Sequence, residues 1–153
     1  MAIEPTYENT SAEKTVDTLN SFLRGEISAV ETYRQAIEKI NDPSLRDKLQ
    51  ELQQLHERQA AKLRNQISQV GGQPSETSGP WGGFAKLVEG SAKVFGVKAA
   101  LAALEEGEDH GLKLYRGNLD DLDMSARSFV QNDLLPTQQQ THDAMSALKH
   151  SVH

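Results

Sequence analysis

The stretch Gly25-Glu26-Ile27-Ser28-Ala29-Val30-Glu31-Thr32-Tyr33 reads G-E-x6-Y. The same frame returns 82 residues later (26 to 108, 33 to 115) as Gly107-Glu108-Asp109-His110-Gly111-Leu112-Lys113-Leu114-Tyr115. A repeat of this spacing in a chain patterned for helices implies two related halves, each bringing one glutamate and one tyrosine to the same relative place. Around the first frame, Val16, Leu19, Leu23, Val30, Tyr33, Ile37 and Ile40 step by three or four residues, which is the apolar face of one long amphipathic helix. Glu26 falls inside that face. A carboxylate among apolar side chains needs a proton, a cation or hydrogen-bond donors, so the two frames predict a pair of glutamates facing each other in a polar layer.

The rest of the chain supplies the helices for such a layer. Residues 1–9 are polar and aperiodic and are expected as a loose arm, after which Thr10-Ser11-Ala12-Glu13 has the S/T-x-x-E pattern of a capping box that opens the first helix. Asn41-Asp42-Pro43 ends it near Ile40 and starts a second, with Asp42 as N-cap and Pro43 in the first turn. The second stripe is Leu45, Leu49, Leu52, Ala60, Leu63, Ile67 and Val70, with His56 in its middle and Gly71-Gly72 as its stop. Residues 71–96 read as a long crossover with a short helix in it, because a Gly/Pro/Ser-rich run containing Trp81 precedes the apolar-periodic piece Phe84, Leu87, Val88, Ala92 and Val94. A crossover of that length lets the second and third helices run parallel. The third helix is expected from Val97 to Leu119, with Leu101, Leu104, Leu112, Tyr115 and Leu119 inward and Glu108 among them. The fourth follows the turn Asp120-Asp121-Leu122-Asp123-Met124-Ser125, and Pro136 is expected to kink it and re-phase its stripe so that His142 falls in line with Met145. The reading is therefore an all-α antiparallel four-helix bundle, a single domain over 10–153.

Composition narrows the function classes. A net charge of -6 without a dense Lys/Arg run argues against nucleic acid as a partner. The chain has no cysteine, so any metal site must be built from Glu, Asp or His, and a reducing, cytoplasmic setting is the expectation. No apolar run of the ~18 residues needed to span a bilayer is present, so no membrane association is expected.

Each long helix thus carries one polar ligand-type residue on its apolar face: Glu26, His56, Glu108 and His142. Carboxylate oxygens and imidazole nitrogens on facing helices are how bundles hold iron, manganese or zinc, which makes this quartet the candidate metal site. The other reading is a metal-free core in which Glu26 and Glu108 accept hydrogen bonds from Tyr, Gln or His. Tyr33 and Tyr115 are expected to be core residues with their hydroxyls aimed at the polar layer. His110, Glu105 and Glu106 are expected on the outside, with Glu31 as a reserve ligand.

The two G-E-x6-Y frames, the first preceded by a leucine-rich turn, resemble the ferritin-like superfamily and its rubrerythrin-type members most of all. Over roughly residues 15–149 the chain is more closely similar to an uncharacterised bacterial family of ferritin-like four-helix-bundle proteins. That likeness rests on Leu19-Asn20-Ser21-Phe22-Leu23-Arg24-Gly25-Glu26, Gly71-Gly72-Gln73-Pro74, Trp81-Gly82-Gly83-Phe84 and Glu105-Glu106-Gly107-Glu108-Asp109-His110. The superfamily resemblance implies a di-iron pattern with Glu on helices one and three and Glu-x-x-His on helices two and four. Glu26 and Glu108 match the first pair, and His56 and His142 match the histidines. Gln53 and Gln139, however, stand where the pattern has carboxylates; a second register would put His56 at the Glu position and Gln59 at the His position. The resemblance implies metal-dependent oxidation, peroxide scavenging or a stress role. A bundle that has lost the centre would instead act through its surface, by the Trp81 loop or a homodimer face.

Overall fold

The computed structural model describes residues 4–79 and 96–152, with side chains from residue 11 onward, and every regular element among them is helical. Helix α1 spans Glu4–Lys39, α2 Pro43–Gln69 and α3 Val97–Gly117; a 3-10 turn at Leu119–Asp121 leads into a fourth rod made of α4 (Met124–Phe129), a π-helical turn (Val130–Leu134) and α5 (Leu135–Ser151). Helix α1 begins at Glu4, not at Thr10, so residues 4–9, expected as an arm, are helical, and Pro5 sits in the first turn where its missing N–H interrupts no bond. The start of α2 follows the sequence reading: the Asp42 carboxylate accepts from the Ser44 and Leu45 N–H groups, and Pro43 opens the helix. Asp123 caps α4 in the same way by accepting from Ala126 N–H. No helix among the described residues is long and apolar enough to cross a membrane.

The packing of the ends gives the topology. At one end the close of α1 (Ala36, Ile37, Ile40) meets the opening of α2 (Leu45, Leu49), the opening of α3 (Leu101, Leu104) and Met145 from the later part of α5. At the other, Leu19, Phe22 and Leu23 meet Leu63 and Ile67 of α2, Tyr115 of α3, and Ala126, Val130 and Leu134. Helices α1 and α2 are therefore antiparallel, as are α3 and the fourth rod, and α2 runs parallel to α3. The end of α2 and the start of α3 therefore lie at opposite ends of the bundle. Apolar burial is split into these two clusters, and the level between them is polar: Glu26, His56, Gln59, Glu108, Gln138 and Thr141 are all buried there.

The fourth rod departs from a plain helix for a reason visible in its sequence. Pro136 cannot donate a backbone bond, and the π-turn just ahead of it, closed by Leu135 N–H on the Val130 carbonyl, widens the helix by one residue. The buried stripe consequently runs Ala126, Val130, Leu134, Gln138, Thr141, Met145. The sequence-based expectation of a re-phased stripe holds, but its phase differs by one position: Thr141, not His142, faces inward.

The described part of the crossover is fastened to α1. Gly71 ends α2 with a φ of +81°, and the next N–H returns to the Ile67 carbonyl at 2.9 Å, a turn that other residues make only with strain. Asn20 then clamps the strand on both sides, donating to the Gln73 carbonyl at 3.0 Å and accepting from Ser75 N–H at 2.8 Å. Arg24 donates to Ser75 Oγ, and Ser78 donates to Glu31. The short helix expected within the crossover, and Trp81, lie outside the described residues. Replacement of Asn20 by Ala removes two part-buried hydrogen bonds and is expected to lower stability by about 1–3 kcal/mol. Urea denaturation measures that loss, and amide exchange at Ser75 is expected to accelerate in the variant.

Candidate functional site

Three helices deliver the centre of the polar layer. Glu26 sits in the middle of α1, His56 in the middle of α2 and Glu108 in the middle of α3, each 2–3% exposed. The imidazole lies between the carboxylates: Nδ1 is 2.7 Å from Glu26 Oε2 and Nε2 is 2.6 Å from Glu108 Oε1. Carboxylate oxygens only accept, so a ring bonded on both sides donates from both nitrogens and is an imidazolium. Burial by itself disfavours that charge, but Glu108 and Glu26, through charge and hydrogen bonds, outweigh it and hold the His56 pKa well above its ordinary 6.5.

The tyrosines of the repeated frames complete the arrangement crosswise. Tyr33 of the first frame donates to Glu108 of the second at 2.6 Å, and Tyr115 of the second donates to Glu26 of the first at 2.7 Å. Antiparallel neighbours require this: seven residues forward on α1 from Glu26 is level with seven residues back on α3 from Tyr115. Burial, followed by the adjacent carboxylates, raises both phenol pKa values well above 10.0, so both hydroxyls remain donors.

The fourth rod serves Glu108 alone. Gln138 Nε2 donates to Glu108 Oε2 at 2.9 Å and to its backbone carbonyl at 3.1 Å, and Thr141 Oγ1 donates to the same Oε2 at 2.6 Å. Burial pushes the Glu108 carboxyl upward, but the His56 charge and the hydrogen bonds from His56, Thr141 and Tyr33 prevail and leave it below its ordinary 4.5. Gln59, one turn on from His56, donates to the Leu134 carbonyl at the π-turn.

Of the sequence-predicted quartet, the structure brings Glu26, His56 and Glu108 together and leaves His142 apart. The widened turn before Pro136 sets Thr141 into the layer, so His142 stands about 100° further round its helix. Its ring is partly exposed, 3.9 Å from Asp109 and 3.4 Å from Asp143. Gln53 and Gln139, three residues before the two histidines of the quartet, are also elsewhere: Gln53 donates to the Val30 carbonyl, and Gln139 bonds Arg116 and Asp143 at the surface. The residues turned inward at this level are His56 and Gln59 on α2 and Gln138 and Thr141 on α5. Sequence reasoning missed Gln138 and Thr141. The signal available was Gly111, where a Cβ would come 2.5 Å from Gln138 Nε2. The second frame thus carries a glycine where the fourth rod's amide presses against α3.

Among the described residues no group of three or more His, Cys, Asp or Glu is arranged to hold a metal ion. A cavity of about 40 Å³ borders the layer on the α1–α3 side, lined by Gly25, Ala29 and Gly107 together with both carboxylates.

Two outcomes follow from this geometry. In Gly111→Ala the new methyl displaces the Gln138 amide from Glu108; a loss of about 1–3 kcal/mol in urea denaturation is expected, with a moved Gln138 side-chain amide resonance. The pH profile of the melting temperature is expected to have a plateau with two edges. His56 is raised in the folded state, so its contribution is complete below about 6.5 and drains away as pH climbs toward the folded value. Glu108 is depressed, so its contribution is complete above about 4.5 and is lost as pH falls through the folded value. Greatest stability is expected between those two pH values, and calorimetry across pH 3 to 10, on the order of one scan per unit, checks it.

The family described as domain of unknown function (DUF2383) matches residues 14–121, more than two thirds of the chain and both repeated frames. No curated protein and no solved structure matches it.

Proposed function

We propose that this chain, which belongs to the family of the domain of unknown function DUF2383, is a ferritin-like bundle in which a protonated histidine occupies the electrostatic place of the metal, leaving a structural or protein-interaction scaffold. The observation that carries the reading is His56 donating from both ring nitrogens to Glu26 and Glu108. One cation already answers the two carboxylates, and the tyrosines, Gln138 and Thr141 satisfy further acceptor positions on them.

The donor set does not suit a di-iron centre. Two divalent ions bring four positive charges, whereas the layer offers two carboxylates. The amides Gln59 and Gln138 and the hydroxyl of Thr141 occupy the Glu-x-x-His positions and add no charge. Two positive charges would be left in a buried layer, at a cost that folding does not bear. On the scaffold reading the chemistry of the core is stability, and function lies on the outer surface; the lack of cysteine suits a reducing, cytoplasmic setting.

A second reading keeps a single iron, manganese or zinc ion, with Glu26, His56 and Glu108 as the residues that would hold it. The observation in its favour is the cavity of about 40 Å³ beside them, larger than the ~10–15 Å³ that one water needs. Iron or manganese held there would supply oxidation or peroxide-scavenging chemistry, whereas zinc, which has no redox chemistry, would only stabilise the layer.

One experiment separates the readings. Protein purified without a polyhistidine tag is incubated with Fe(II), Mn(II) or Zn(II), desalted, and measured for metal content and melting temperature. The scaffold reading expects clearly substoichiometric metal and an unchanged melting temperature, because an ion bound to the folded state must raise it. It also expects Glu26→Ala and Glu108→Ala each to cost about 2–5 kcal/mol, since each leaves a His56 N–H and a tyrosine hydroxyl buried without their acceptor. One retained equivalent of metal with a raised melting temperature, abolished in both variants and kept in Glu31→Ala, overturns it in favour of the ion.

A further inference from the structure

We infer that a second copy of this chain docks in the groove between α1 and α2, forming a two-fold dimer. The groove encloses a cavity of about 230 Å³ on the side of α1 away from α3. Ile27 and Val30 of α1 and Ala60 of α2 supply its apolar surface, and Arg34, Glu57 and Arg64 surround them. Ile27 and Val30 remain partly exposed, and the three charged residues are exposed. None of the three charged side chains has a hydrogen bond or ion pair with another described residue, in contrast to Lys62, Lys113 and Lys149, each of which has a carboxylate partner. A fourth charge, Glu31, also lines the groove while accepting from Ser78.

The choice of occupant follows from charge. The lining holds two arginines and two glutamates, an equal number of each sign. A partner of one sign, such as an acidic peptide or a polyanion, would meet as many like charges as opposite ones. A second copy brings the same balanced set, and a two-fold contact is self-complementary by construction. Net repulsion points the same way. Two chains of charge -6 repel over most of their surfaces, so they approach most favourably where the local charge is balanced and apolar surface is available.

The test is the oligomeric state of the full chain by sedimentation equilibrium, with two variants outside the polar layer. Wild type is expected to be dimeric. The exposed double reversal Arg34→Glu/Arg64→Glu is expected to weaken the dimer by about tenfold or more, and Val30→Arg to abolish it, both with an unchanged helical circular dichroism spectrum. A wild type that stays monomeric at high micromolar concentration overturns the inference, and so does a dimer whose affinity neither variant changes, since it then forms elsewhere. Should Val30→Arg fail to fold, the double reversal decides alone, because its sites are exposed. The Glu26 and Glu108 variants leave this surface untouched, so failure here and failure of the scaffold reading are separately visible.

Discussion

A single imidazolium held between two carboxylates is the interaction on which the rest of this structure depends. His56 answers Glu26 on one side and Glu108 on the other, and through them it joins α2 to both α1 and α3 at mid-height. Without that positive charge the layer would hold two like charges out of water, a cost of several kcal/mol per ion. With it, the remaining donors can be neutral: two phenols, an amide and a hydroxyl. The distribution is unequal, because Glu108 accepts from four side chains and Glu26 from two. The cavity beside the layer lies against both carboxylates, between the helices that carry the repeated frames.

A buried ion set is seldom the cheapest way to stabilise a core, since apolar residues of equal volume often do as well or better. What it adds is selectivity among arrangements. The Leu, Ile and Ala stripes of α1 and α2 could pack in several axial registers with similar burial. Only one of these places Glu26 opposite His56 and Tyr33 opposite Glu108. Sliding α1 by a turn of about 5.4 Å breaks the Glu26–His56, Tyr33–Glu108 and Tyr115–Glu26 bonds together. The polar level thus fixes which of the otherwise similar apolar packings is native.

Much of the fold was legible in the sequence because periodicity and capping are local. The stripes of α1, α2 and α3, the Asp42–Pro43 start and the glycine stop at Gly71 all follow from nearest-neighbour rules, and the repeated frame pointed to glutamates with nearby tyrosines. The candidate site was legible only in part. His142 and Thr141 are adjacent in sequence, and which of them faces inward depends on a π-turn whose extra residue no helical-wheel argument supplies. Pro136 announced a disturbance without giving its size. The start of α1 was misplaced for a related reason: the Thr10–Glu13 pattern is a capping signal, but a helix that has already begun simply runs through it. Gln138 was invisible because amides are neutral and common on helix surfaces, and its role depends on a contact with Gly111 across the bundle.

The crosswise tyrosines bear on how the molecule comes apart. Two apolar clusters separated by a polar level would ordinarily suggest two units able to loosen one after the other. Yet neither helical hairpin can complete its own half of the level: α1 and α2 alone leave Tyr33 without an acceptor, and α3 with the fourth rod alone leaves Tyr115 without one. Each hairpin carries the missing part of the other, so opening one end strands polar groups at the centre and the penalty is felt at both ends. The divided core is therefore expected to melt as one cooperative unit.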